Sequence, residues 1–400
     1  MGNSSKVTGS SGLMRSINMK IVLNIILQHE PISRTEISER AGLAMPTVMR
    51  MIDVFLADGL VRELGKGDSS GGRKPVMLCV NPDAYCFLGT DISRECHSVV
   101  TDIHGQIKGK SQRVLDYAQD ADGVAAQVRE NMRRAVAESG IAAEQIVYSG
   151  VGTPGIGFKY IGEPSHIFSF WSTADSDQLQ QKLDIGYPTA FENVGRLGAA
   201  AELRYGVGKE LSNFLYIYAD EGIGMGAVLD GRLESGHLGI GGEFGHSTIN
   251  YGGQLCYCGN RGCVEAYCSS PALLREYRTL LVSSGTAYRE EDLTLFHLMC
   301  EVESGNKTAM QVVREAGKAL GVGIANLINI YNPEAIVMGG ELSQTLPLYA
   351  ESAESEARLH IFLQRAADLH FFEASVDRHA EAVGAAAVAV EAFLSRYCER

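Results

Sequence analysis

The chain has no apolar run approaching the roughly 20 residues that cross a bilayer. Its longest apolar stretches are short and broken by glycine, so no membrane span is expected. The opening segment, Met1 to Gly12, is Ser/Gly-rich, with one lysine and no apolar core. It does not read as a secretory signal but as a disordered tail over residues 1–12. Positive charge is also scarce: 35 Lys and Arg stand against 48 Asp and Glu, a net −13. That excludes a protein coated in basic surface. Nine cysteines without an export signal point to a reducing, cytoplasmic setting. There, clustered thiols signal metal binding or reactivity rather than disulfides.

What is present implies more than one domain. A chain of 400 residues exceeds one ordinary domain and suggests two or three. Apolar content of 45% and charged content of 21% fit packed globular cores. Charge is uneven: residues 1–80 carry +3 and the remainder −16. A mildly basic head on an acidic body suits a small DNA reader joined to a domain that repels DNA.

Residues 13–80 form the first unit. Ile17, Ile21, Val22, Ile25 and Ile26 recur at helical spacing, and Pro31 ends that helix. Ser33 with Glu36 makes a capping box for a second helix, Arg34 to Ala41, which stops at Gly42. A third runs from Met45-Pro46 to Asp58 with Val48, Ile52 and Phe55 on one face, and Gly59 ends it. Leu60 to Leu64 and Val76 to Val80 read as two strands around a Gly/Ser-rich tip. This order is that of a winged helix-turn-helix. The third helix would read DNA, with Met45, Thr47, Val48, Arg50 and Met51 facing the major groove or its phosphates. Arg73 and Lys74 on the wing would reach a backbone or a minor groove. The competing reading is a small helical domain that serves protein contacts.

Asn81-Pro82 marks a boundary. Phe87 to Ile92 and His97 to Ile103 read as strands, followed by a turn, a further strand, a helix near 124–139 and a strand near 145–150. Phe214 to Ala219 and Gly226 to Leu229 repeat the hairpin theme, and helices near 306–331 and 379–397 close the second half. The repetition suggests a duplicated α/β body with a cleft between lobes. The expected units are 81–190 for the first lobe and 191–400 for the second. The C-terminal helix is expected to return to the first lobe.

Cys256-Tyr257-Cys258-Gly259-Asn260-Arg261-Gly262-Cys263 is the sharpest local signal, with His246 ten residues upstream. Three thiolates and one imidazole make a tetrahedral zinc set with no position left open for water. Such a metal builds a loop and does no chemistry. Isolated thiols such as Cys79 and Cys300 read instead as buried free cysteines, the alternative for any one member of the cluster.

Gly242-Glu243-Phe244-Gly245-His246, the cysteine run ending at Glu265, and the winged helix together resemble the ROK family of repressors, open reading frames and kinases. Supporting matches are Gly152-Thr153-Pro154-Gly155, Glu192-Asn193 and Asn332-Pro333-Glu334. The resemblance implies an actin/hexokinase-like two-lobed α/β body. It implies zinc on His246, Cys256, Cys258 and Cys263, and sugar hydroxyls held by Asn193, Glu243, His246 and Glu265. Carboxylates and an amide suit hydroxyls that both donate and accept.

The departures from the kinases cluster on ATP. Their base, an Asp after Glu-Asn, is Val194 here, which cannot accept a proton. Their first phosphate loop reads Asp-x-Gly-Gly-Thr; here Asp91-Ile92 continues as Ser93-Arg94-Glu95. Their second loop reads Gly-Thr-Gly; here it is Asp220-Glu221-Gly222, whose carboxylates repel a triphosphate. The expectation is a non-enzymatic repressor whose affinity for operator DNA responds to a sugar, acting as a homodimer or tetramer. A sugar kinase with an accessory DNA-binding domain is the rival, and an activator or scaffold the third reading.

Overall fold

The computed structural model describes residues 11–66, 74–92, 95–116, 118–153, 176–237, 239–362, 368–376 and 379–399. The head contains α1 (Ser11–His29), β1 (Ile32–Ser33), α2 (Arg34–Ala41), α3 (Met45–Ala57) and the wing strands β2 (Val61–Lys66) and β3 (Val76–Val80). Of the tail expected over 1–12, residues 1–10 lie outside the described residues, and Ser11 already belongs to α1. Ser33 caps α2 as the sequence predicts: its Oγ accepts from the Glu36 amide while Glu36 accepts from the Ser33 amide. The three head strands form one sheet in the order β1-β3-β2.

The first lobe opens with β4 (Cys86–Asp91), β5 (Glu95–Asp102) and β6 (Ile107–Val114), then α4 (Ala121–Ser139), β7 (Ile146–Thr153), α5 (Ser176–Leu183) and β8 (Thr189–Asn193). Helix α6 (Val194–Tyr205) crosses to β9 (Phe214–Ala219), β10 (Ile223–Leu229) and β11 (Arg232–Glu234) of the second. There α7 (Ser270–Ser283), α8 (Leu295–Glu303), α9 (Lys307–Tyr331), β12 (Ala335–Gly339), α10 (Pro347–Leu359), β13 (His370–Glu373) and α11 (Ala380–Cys398) complete the chain. The two five-stranded sheets share one topology, β6-β5-β4-β7-β8 and β11-β10-β9-β12-β13. In each, three antiparallel strands are followed by two parallel ones. This equivalence is the expected duplication. It brings the carboxyl ends of β7, β8, β9 and β12 to the cleft, where open α/β sheets hold their ligands.

Helix α11 is apolar on nearly every side, as a helix enclosed by neighbours must be. It lies against β4, β7 and α6. A Cβ on Gly150 would meet the Ala385 carbonyl at 1.8 Å, and one on Gly384 the Leu197 carbonyl at 2.0 Å, so only glycine permits this approach. The end of α11 enters the head. Met19, Val22, Ile26, Val48, Ile52 and Phe55 share one core with Phe87, Ile103, Val390, Phe393 and Tyr397. The head is therefore packed onto the first lobe through continuous apolar contact.

Polar contacts seal the joint. Tyr397 Oη donates to Asp58 Oδ2 at 2.6 Å, and Glu30 accepts the Val80 amide at 2.6 Å while pairing with His104. The Glu30 hydrogen bond, above the opposing effect of burial, raises the His104 pKa. A raised histidine pKa adds stability that is complete below the unfolded value and lost as pH rises through the folded one. The free energy of opening α1, from hydrogen exchange corrected for its base-catalysed intrinsic rate, should therefore fall as pH climbs from the unfolded histidine value through the raised folded one. His104→Ala should abolish that fall in the corrected opening free energy; if the fall persists in the variant, the pair is not its source.

A metal cluster beside a ligand cleft

Asn193 ends β8 and caps α6, its Oδ1 accepting from the Gly195 amide at 2.8 Å. Among the described residues the side-chain NH2 has no partner. Val194, the next residue, opens α6 half-buried. Thr153 stands opposite Asn193 in the β7–β8 register, so β7 delivers its end to the same place. Pro154 and Gly155 of that expected motif lie outside the described residues, as do Ser93, Arg94 and Arg73.

From the second lobe, Glu243 and His246 occupy a short turn of helix, Phe244–His246 and the residue before it. Burial raises the Glu243 pKa, partly offset by His246 and Arg196. Glu265 is buried, at 6% exposure, and its Oε2 accepts the Ile223 amide at 2.9 Å. A Cβ at Gly222 would stand 3.1 Å from that carboxylate, a tight approach. Both acids are thus drawn inward and are not solvated surface charges.

The structure brings His246, Cys256, Cys258 and Cys263 together, with one donor atom from each within 4.8 Å of all the others. Cys258 Sγ and Cys263 Sγ are 3.7 Å apart, as are Cys256 Sγ and His246 Nδ1. Ligands on a tetrahedral ion with bonds near 2.3 Å are separated by about 3.8 Å, so the spacing suits a bound metal. Burial pushes the Cys263 thiol to about 12 and raises Cys256 as well. Thiols held that high need a cation to exist as thiolates. His246 turns Nδ1 to the sulfurs and Nε2 outward, 3.3 Å from the Tyr257 hydroxyl.

Acidic groups also gather around the end of β9. Burial raises Asp220 to about 6, with Glu341 and Glu221 adding to the shift. Burial raises Glu381 to about 7, with Asp220 reinforcing it. Tyr218 donates to Asp220 Oδ2 at 3.1 Å and feels Glu381 and Asp91 as well. A triphosphate placed here would meet several carboxylates in a poorly solvated space.

In the head, the structure corrects two DNA-facing assignments. Val48 is fully buried and Met51 is 7% exposed; both sit in the apolar core. Positions 48, 51, 52 and 55 share one helix face, so the side that holds Ile52 and Phe55 cannot also meet a groove. The open face of α3 shows Met49 and Arg50, with Met45 and Thr47 half-buried at its start and Arg50 Nη2 3.5 Å from Thr47 Oγ1. Lys74 is exposed at the wing. Two residues escaped the sequence reading. Tyr257 was hidden by its place between two cysteines, and Arg196 by its place in a run of small residues.

Head, twin sheets and thiol cluster define a sugar-responsive DNA-binding repressor, not a kinase. The chain belongs to the ROK family, whose profile matches residues 95–392, and a winged helix-turn-helix DNA-binding profile matches residues 16–62. It is 29% identical to a xylose repressor of Bacillus subtilis (strain 168), over 95% of this chain and 97% of that one. It is 26% identical to the DNA-binding transcriptional dual regulator NagC of Escherichia coli (strain K12), over 97% and 95% respectively. In fold it matches a crystal structure of a ROK family transcriptional regulator, a homolog of the E. coli MLC protein. That match has a TM-score of 0.79 and 24% identity, covering 96% of this chain and 98% of that one. None of the described helices is long and apolar enough to cross a membrane.

Proposed function

We propose that this repressor binds a pentose of the xylose class between Asn193, Glu243, His246 and Glu265, and that occupancy changes its grip on operator DNA. The observation that carries the reading is the inward setting of Glu243 and Glu265 beside the thiol cluster, with Val194 following Asn193 at the start of α6. In a six-membered ring, a pentose lacks the exocyclic hydroxymethyl group of a hexose. Valine methyls leave the hydroxyl of that group without a partner, a cost of about 1–3 kcal/mol once water is displaced. The names of the Bacillus relatives point the same way.

Zinc is the ion that suits three thiolates and an imidazole. Held by His246, Cys256, Cys258 and Cys263, it would supply rigidity and no open coordination position. Met45, Thr47 and Arg50 of α3, with Arg73 and Lys74 of the wing, would contact DNA. Two heads on a homodimer, or a tetramer of such pairs, would read two half-sites in the cytoplasm. The working units are the head over 13–80 and the lobes over 81–190 and 191–400.

Operator titrations with and without D-xylose test this. A coupling of 1–3 kcal/mol, about 5–150-fold, is expected; an operator affinity indifferent to every sugar tried refutes it. Val194→Asp should raise hexose affinity relative to pentose about tenfold, one hydrogen bond's worth, by calorimetry. It should not create phosphoryl transfer in a coupled assay, because the acidic groups around the end of β9 remain. Unchanged sugar preference would remove Val194 from the selection.

A further inference from the structure

Arg196 is 3% exposed, a depth at which arginine occurs only when its donors are matched. It lies two residues into α6 from Val194, with its guanidinium spread between two chain segments. Nε donates to Glu192 Oε1 at 2.8 Å, and Nη2 also pairs with that carboxylate. Nη2 donates to the Gly239 carbonyl at 2.7 Å, and Nη1 to the Gly241 carbonyl. The same Glu192 oxygen accepts the Asn193 amide at 2.7 Å.

The two segments are the two sides of the ligand site. Glu192-Asn193 is the end of β8, in the first-lobe sheet. Gly239 and Gly241 lead directly into Gly242-Glu243 of the second lobe. Gly242 has φ +95°, and a Cβ there would strike the Met225 carbonyl at 2.4 Å, so the loop lies flat on β10. Arg196 is also among the charges that act on Glu243.

We propose that Arg196 is the positioning residue of the ligand pocket. By bridging Glu192 to the Gly239 and Gly241 carbonyls, it sets the distance between Asn193 and Glu243. The planar guanidinium fixes direction as well as reach, which an ammonium cannot do. A sugar bridging Asn193 and Glu243 finds its two anchors already spaced, and a small misplacement of either forfeits much of its affinity. The inference rests on the ligand reading given above.

Calorimetric binding of D-xylose to the full chain tests it, with bound metal, melting temperature and sugar-free operator affinity measured alongside. Arg196→Met should lower sugar affinity about 100-fold, as expected when two of the sugar's anchoring hydrogen bonds are forfeited. Arg196→Lys should lower it about tenfold, since a point charge keeps some pairing but not the geometry. Metal content and sugar-free operator affinity should stay at wild-type levels in Arg196→Lys. Should Arg196→Met fail to fold, Arg196→Lys and Glu192→Gln carry the test, and Glu192→Gln should weaken the sugar in the same direction. Wild-type sugar affinity in Arg196→Lys and Glu192→Gln overturns the proposal. So does a fall in melting temperature and operator affinity with the sugar constant intact. A wild-type chain that binds no pentose or hexose overturns the ligand reading itself, a different result from wild-type binding that the variants share.

Discussion

Stripping the metal with a chelator, or replacing Cys258 by Ser, should abolish sugar binding while the head stays folded. The cluster closes the chain from His246 to Cys263, a segment whose backbone bridges include Thr248 with Cys263 and Leu255 with Arg261. Its apolar contribution is small, three buried residues with two partly buried ones against them. A loop so poorly supplied with core leans on metal ligation, worth about 10–16 kcal/mol in small zinc domains. Losing it releases His246 and unseats the chain on which Glu243 and Glu265 are mounted. The head shares its core with the first lobe and the end of α11, and none of that core comes from the cluster segment. Sugar affinity should therefore fall at least about 100-fold, beyond the 10–100-fold typical of losing an outer partner of a ligand. Sugar-free operator binding should hold. Metal analysis with calorimetry on the same sample decides the matter; a metal-free chain that binds sugar normally would separate the cluster from the pocket.

Much of this arrangement was legible because its signals are local. The capping box at Ser33 and Glu36, the strand bounds Val76–Val80 and Phe214–Ala219, and the thiol spacing all lie within a few residues. The error at Val48 came from giving one helix face two duties. Its spacing with Ile52 and Phe55 already placed it inside. Other features were illegible because they join distant positions. Arg196 meets carbonyls 43 and 45 residues away, and the charge of Asp220 acts on Glu381, far along the chain. The apolar girth of α11 announced that the helix is enclosed; nothing in its own residues named the head as one of its neighbours.

That neighbour sets the second large effect. Phe393 is 8% exposed and packs its ring against Tyr85 at 5.0 Å, Phe87 at 5.5 Å and Tyr397 at 5.8 Å. Tyr397 in turn lies 6.1 Å from Phe55 of α3, the helix that would enter the groove. Asn193 caps α6, α6 packs on α11, and α11 reaches α3 through these rings. Packed rings with few alternative arrangements transmit a shift instead of absorbing it. Phe393→Ala should cost about 3–5 kcal/mol of stability, the range for emptying a buried aromatic site. It should also remove about 0.5–2 kcal/mol of the coupling between sugar and operator. Denaturant unfolding gives the first quantity. Operator titrations with and without sugar, run on variant that is still folded, give the second. A destabilised protein with its full sugar response would show that the aromatic chain holds the head in place but does not carry the signal. The route would then have to pass through rearranged subunits instead.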